Sequence, residues 1–257
     1  MGNIVTAASE LRQALDPVAF ARERLGFVPD PWQACVLRSN SHRVALCCSR
    51  QAGKTTVTAV LALHTMIFRP RSLVLLFSKA QRQSSELLAK IAAYIASMEG
   101  APRITKEAAT ELRVANGSRV LSLPGDGDSI RGFSAPDLIV EDEAAFVSDE
   151  LYSAFLPMLA ASRNGRLVLM STPNGRRGHF FKVWSEGGEH WQRESVTAEQ
   201  VQRITPSFLD EMRTELGPAR FAQEFLCKFV EANEQLFSDA AISAAFSGSV
   251  PLLPLAF

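Results

Sequence analysis

The sequence predicts an open, mostly parallel α/β sheet with helices on both faces. Two observations carry this. Apolar runs alternate with helical patterns as far as residue 196, the order expected of parallel strands joined by crossover helices. Two of the runs, Leu138 to Val140 and Leu167 to Met170, are apolar throughout, as strands covered on both faces must be. A chain of 257 residues that is 47% apolar can bury the core of one large domain, or of a compact domain with a smaller appendage.

The elements follow in order. Arg43 to Cys48 (RVALCC) reads as the first strand and Thr55 to Phe68 as the helix after it. Ser72 to Phe77 is a second strand. A long helix covers about Gln81 to Met98, with Leu87, Leu88, Ile91, Ile95 and Met98 at helical spacing. Glu111 to Leu123 folds on Asn116-Gly117, a strong hairpin signal. The two apolar runs above are further strands, and Trp191 to Val196 adds another. Beyond Thr197 the pattern is helical only: Pro206-Ser207 opens one helix and Gly217-Pro218 punctuates the next. From about Gln235 a short helix leads into an apolar tail ending at Phe257.

Basic and acidic residues balance, 27 against 27, which speaks against a stand-alone nucleic-acid binder. It leaves room for one basic face, or for a protein that grips nucleic acid as part of a ring. None of the four cysteines forms a C-x-x-C pair, so no zinc site is expected. Cys47 and Cys48 read as reduced residues buried in a strand. Without a secretory signal or a run of ~20 apolar residues, the expected location is the cytoplasm, away from membranes.

The sharpest motif is Cys48-Ser49-Arg50-Gln51-Ala52-Gly53-Lys54-Thr55-Thr56. It matches the phosphate-binding pattern G-x-x-x-x-G-K-[ST], with Cys48 at the first glycine. A strand enters it and a helix leaves it. Loop N–H groups and the positive end of the helix can surround phosphates. Gly53 lets the backbone approach, Lys54 reaches the β/γ oxygens, and the Thr55 hydroxyl can ligate Mg²⁺. A second motif, Asp137-Leu-Ile-Val-Glu-Asp142-Glu143, is a strand ending in carboxylates. Placed beside the phosphate-loop strand, Asp142 would hold Mg²⁺ through water, and Glu143 would act as general base on the attacking water. Glu141 should point away, since side chains alternate along a strand. Together these motifs predict an ATPase of phosphate-loop fold that uses ATP and Mg²⁺.

A third segment, Ser171-Thr172-Pro173-Asn174-Gly175, ends a buried strand in hydroxyl residues and a turn. Ligands of open sheets sit at the carboxyl ends of strands, so Ser171, Thr172 and Pro173 are read as a sensor of the γ-phosphate and a coupling element. Upstream, Gln33 is a candidate for adenine N6 and N7, and Trp32 either stacks on the base or anchors the core.

Pro31-Trp-Gln33, residues 49–56, Asp128-Ser-Ile-Arg131-Gly132, Val140-Glu-Asp-Glu-Ala-Ala145 and Ser171-Thr-Pro-Asn-Gly175 together resemble the large subunit of viral terminases. Ile204-Thr-Pro-Ser-Phe208 through Phe221-Ala-Gln-Glu-Phe225 and Phe229 looks like that family's small lid. The resemblance covers roughly residues 27–246. It implies an ATPase core at 1–196 with an adenine-binding segment at about 27–40, a helical lid at 197–234, and a tail or linker at 235–257. It further implies a motor that drives double-stranded DNA into a procapsid in the host cytoplasm, as a homo-oligomeric ring at the portal protein, with a small terminase subunit choosing the DNA. Arg131 matches an arginine implicated in transition-state stabilisation, in cis or in trans, and Arg50 is the rival. Family members carry a second, nuclease domain. The chain stops at Phe257 with Asp239 its last acidic residue, so no DNA cleavage is expected of it.

Arg163, Arg166, Arg176, Arg177 and Lys182 lie in a stretch, Leu151 to Ser185, without Asp or Glu. This is either a DNA-gripping face or an ordinary solvated surface. The competing functions are a superfamily-2 helicase-like remodelling ATPase and a nucleotide-dependent assembly module with little hydrolysis.

Overall fold

The computed structural model describes residues 2–125, 130 and 132–230. Arg131, Asp128 and the expected helix and tail after residue 235 lie outside the described residues, as does the end of the expected lid. Three helices precede the sheet: α1 (Gly2–Leu15), α2 (Pro17–Leu25) and α3 (Pro31–Arg38). The first two have no counterpart in the sequence reading, although their boundary carries start and stop chemistry. The Asp16 side chain accepts the Val18 N–H at 2.9 Å, and Gly26 closes α2 at φ 61°, a left-handed cap that glycine adopts without strain.

The first crossover follows as expected, with β1 (Arg43–Cys48), α4 (Lys54–Phe68), β2 (Leu73–Ser78) and α5 (Gln81–Ser97). Next come β3 (Ile104–Ala108), β4 (Glu111–Val114) and β5 (Arg119–Ser122). The β4–β5 hairpin turns at Asn116-Gly117, with Gly117 at φ 85° and Asn116 Oδ1 accepting the Ser118 N–H at 2.9 Å. β3 escaped the sequence reading because it is a largely exposed edge strand, and such a strand lacks an apolar signature. The remainder is β6 (Leu138–Asp142), α6 (Asp149–Phe155), β7 (Arg166–Ser171), α7 (Gly178–Glu186), β8 (Gln192–Val196) and α8 (Pro206–Leu226).

Among the described residues the eight strands form one sheet, ordered β3-β4-β5-β2-β6-β7-β1-β8. The β3-β4-β5 end is antiparallel and every other pairing is parallel. This order corrects one expectation. The acidic strand β6 is not the neighbour of the phosphate-loop strand β1, because β7 pairs with both and lies between them. Strand order is set by which edges the crossover helices leave free to pair, and no local motif records it.

Side-chain alternation divides the core. Val44, Leu46 and Cys48 of β1, with Val140 and Met170, pack against α4 and α5. Ala45, Cys47, Ile139 and Leu169 face the layer that holds α6 and α7. Cys47 and Cys48 are buried and unbridged, as expected. The segment after β8 has a small core of its own: Ala198, Leu209, Phe221 and Phe225. Gly217, at φ 73° and ψ 167°, breaks α8 into two pieces just before Pro218, which matches the punctuation read there.

Candidate functional site

Residues 49–53 link β1 to α4 at the carboxyl end of the sheet. The turn is possible because Gln51 and Gly53 take positive φ, 62° and 96°. The positive φ favours glycine at Gly53, and a Cβ there would lie 2.8 Å from Gln33 Nε2, which would have to shift. Ser49 is buried and its N–H donates to Val196 O at 2.9 Å. At the helix start, Gly53 O accepts the Thr56 and Val57 N–H groups. The loop borders a cleft of about 450 Å³ lined by Gln51, Ala52, Gly53, Lys54, Thr55 and Thr56, with Glu143 opposite.

Lys54 Nζ lies 3.2 Å from Glu143 Oε1. Glu143 follows the end of β6 in the left-handed region, φ 53°, and this turn carries its carboxylate toward the loop. Asp142 precedes it, buried, and its Oδ1 accepts the Glu143 N–H at 2.9 Å. Burial, and then the neighbouring Glu143 charge, push the Asp142 carboxyl up to about 6. A buried oxygen ligand whose own charge is unfavourable suits a hard divalent cation, which would restore the ionised form. With Thr55 lining the cleft beside Glu143 and Asp142 directly preceding Glu143, the donor set fits Mg²⁺. From β7, Ser171 Oγ accepts the Ala145 N–H at 3.2 Å and Asn174 Nδ2 donates to Ala145 O at 3.3 Å. The third motif thus grips the turn that follows the acidic strand. The Thr172 hydroxyl is buried without a partner among the described residues, and Pro173 is buried beside it.

Other expected residues fall differently. Gln33 reaches the site, but its amide is engaged within the protein: Oε1 accepts the Asp30 N–H at 2.9 Å and Nε2 donates to Gly53 O at 3.3 Å. Trp32 packs against the core around α4 and does not line the cleft. Arg50 turns away from the cleft toward α8, where Nε meets Glu224 Oε2 at 2.5 Å. The basic stretch does not form one face. Arg166 is partly buried, donating to Val36 O at 3.0 Å, and burial, with the nearby Arg69 charge, lowers its pKa to about 10. Arg163 sits beside Asn40 and His42, at the end of the sheet opposite the loop.

Two cations of the cleft were missed. Arg203, between β8 and α8, donates Nη2 to Gln51 O at 2.7 Å and lies 3.5 Å from Asp30 Oδ2. Lys90 on α5 donates to Thr56 Oγ1 at 2.6 Å, and burial holds its ammonium below the usual lysine range. Only Lys90 left a trace in the sequence, as a lysine beside the buried stripe Leu87, Leu88 and Ile91. With Lys54, these side chains line a cleft suited to a polyanion.

A model of the family described as "Terminase large subunit, T4likevirus-type, N-terminal" matches residues 46–244. The large terminase subunits of Thermus phage G20c and Thermus virus P23-45 are 21% and 22% identical over 252 residues, a match spanning 84% of this chain and 52% of each relative. The chain therefore spans about half the length of these curated relatives. Among solved structures, the large terminase ATPase domain of Thermus phage P74-26 superposes with a TM-score of 0.73 at 22% identity, covering 84% of this chain and 100% of that one. The large terminase of another thermophilic bacteriophage, in complex with ADP, gives 0.61 at 14% identity, over 85% and 53% of the two chains. The HK97 large terminase gives 0.63 at 16%, over 77% and 46%. At these identities the superpositions establish the shared fold.

Proposed function

The chain belongs to the terminase large subunit family, T4-like type, N-terminal part, and from that membership we propose that it is an ATP-hydrolysing motor domain that drives double-stranded DNA into a procapsid. The observation that carries the reading is the 3.2 Å approach of Lys54 to Glu143 across a phosphate loop, with the buried Asp142 carboxylate next in the chain. The thermophilic-phage terminase solved with ADP, and solved again with ATP-γ-S, supports a nucleotide as the ligand.

In this reading the loop N–H groups and Lys54 hold the β- and γ-phosphates. Lys54 leaves Glu143 for the nucleotide, and the released carboxylate accepts the proton of the attacking water. Thr55 and Asp142 would hold Mg²⁺, Asp142 through water. The ion supplies neutralisation of phosphate charge when bound. Ser171, Thr172 and Pro173 sense the γ-phosphate through the turn at Ala145. Arg131 is the arginine finger; Arg50, paired with Glu224, ties the loop to the lid. The ATPase core is assigned to residues 1–196, the lid to 197–234 and the linking tail to 235–257. DNA, the portal protein, the small terminase subunit and a ring of copies are the partners, in the host cytoplasm.

The test is phosphate release by the purified chain with ATP and Mg²⁺, alongside nucleotide affinity. Turnover that disappears in Glu143→Gln while binding persists supports the motor. Binding without turnover at any protein concentration favours the assembly module instead.

A further inference from the structure

The face of β6 turned away from the nucleotide carries a second polar cluster. Glu141 points, as alternation requires, into the layer of α6 and α7, where it is fully buried. There its Oε2 lies 2.8 Å from His179 Nε2. The other ring nitrogen, Nδ1, is 3.2 Å from Asp149 Oδ1, and the same oxygen accepts the His179 backbone N–H at 2.7 Å. Tyr152 stacks on the imidazole, ring centroids 4.3 Å apart and planes 12° from parallel. Gly178, at φ 76°, makes the turn that aims both the N–H and the ring of His179 at Asp149. Lys182 Nζ stands 3.9 Å from the outer oxygen of Asp149.

One proton between Nε2 and Oε2 and another on Nδ1 satisfy the ring and one oxygen of each carboxylate, while Glu141 Oε1 is buried without a partner among the described residues. Burial alone would lower the His179 pKa, but the bond and charge of Glu141, with those of Asp149, outweigh it and leave it raised. A buried imidazole held between a fully buried carboxylate, Glu141, and a half-exposed one, Asp149, is a costly arrangement for packing alone.

Its position explains its use. Glu141 immediately precedes Asp142 and Glu143, Asp149 opens α6 just after them, and His179 opens α7 just after the Ser171–Gly175 segment. The bridge therefore closes around the turn that holds Glu143 at φ 53°. A non-glycine residue in that region is strained and persists only where its surroundings over-determine it.

We propose that the Glu141–His179–Asp149 bridge positions Glu143, clamping the turn after β6 so that the carboxylate meets the phosphate loop. This rests on Glu143 as the base of the proposed ATPase. His179 is then a positioning residue, acting through Glu143 without touching nucleotide.

The experiment measures kcat and nucleotide affinity in His179→Ala and in Asp149→Asn, which changes a half-exposed side chain and spares the core. Both should lose between about ten- and a hundredfold in kcat, the scale of a small misplacement, with affinity held within about twofold. Added to Glu143→Gln, His179→Ala should cost nothing further, because the group it positions is already gone. Unchanged kcat in both variants, affinity falling with kcat, or a full additional loss in the double variant would each overturn the proposal. An unsubstituted chain without turnover would instead defeat the functional reading on which it rests.

Discussion

Lys54 Nζ sits 3.2 Å from Glu143 Oε1, so the cation proposed for phosphate and the carboxylate proposed for water are each other's partner across the cleft. The pair is largely shielded, with side-chain exposures of 12% and 24%. In the proposed function, a triphosphate takes Lys54 away from Glu143, and this exchange would couple binding to exposure of the base.

Lys54→Ala should weaken ATP binding at least about tenfold, the lower bound for losing a charged hydrogen bond to phosphate. Titration with a fluorescent ATP analogue measures this. Unaltered affinity would remove Lys54 from the site.

Glu143→Gln should keep ATP and lose hydrolysis by about 10²-fold or more. Glu143→Ala frees Lys54 before nucleotide arrives, so its affinity should rise by up to about fivefold, the worth of a partly exposed ion pair. Equal or weaker binding by the alanine variant would show that the pair does not compete with the ligand.

The Asp142 carboxyl titrates at about 6 in the folded chain against an ordinary 3.8, because burial and then the Glu143 charge oppose its ionisation. The folded state therefore holds a proton that the unfolded state has released between these values. Stability falls as pH rises through this window, by on the order of 3 kcal/mol in the absence of divalent ions. Asp142→Asn cannot ionise, so it should raise Tm at pH 8 and change it little below pH 4. A Tm gain of the same size at both pH values would contradict this origin.

Arg50 and Glu224 join the phosphate loop to α8 at 2.5 Å, with Arg50 mostly exposed and Glu224 buried. The bond to Glu224 raises the Arg50 pKa. Arg50→Ala and Glu224→Gln should each destabilise the chain, with a coupling of about 1 kcal/mol in a double-mutant cycle of urea unfolding. Simple additivity would mean that the contact does not latch the lid.

Much of the site was legible because its motifs are contiguous. Gly53-Lys54-Thr55 opens the helix after a strand, Asp142-Glu143 and Ser171-Thr172 each end one, and the same few residues encode both the turn and the candidate chemistry. Arg203 and Lys90 were not legible, since each reaches the cleft from an element whose own pattern is only that of a helix or connector. Trp32 could be read as either stack or anchor from its neighbours, and packing against the α4 core decided it.

The sequence by itself determined the buried strands, the crossover helices between them, and the groups of residues proposed to bind phosphate; the edge strand β3 and the helices α1 and α2 were not among them. Those features depend on side-chain period and local turn geometry, which neighbouring residues carry. Tertiary structure alone decided that β7 separates β1 from β6, that Lys54 meets Glu143, and that His179 is caught between Glu141 and Asp149. Strand order and such pairings arise from backbone groups and side chains brought together by the folding of distant segments, and those contacts leave no periodic trace along the chain.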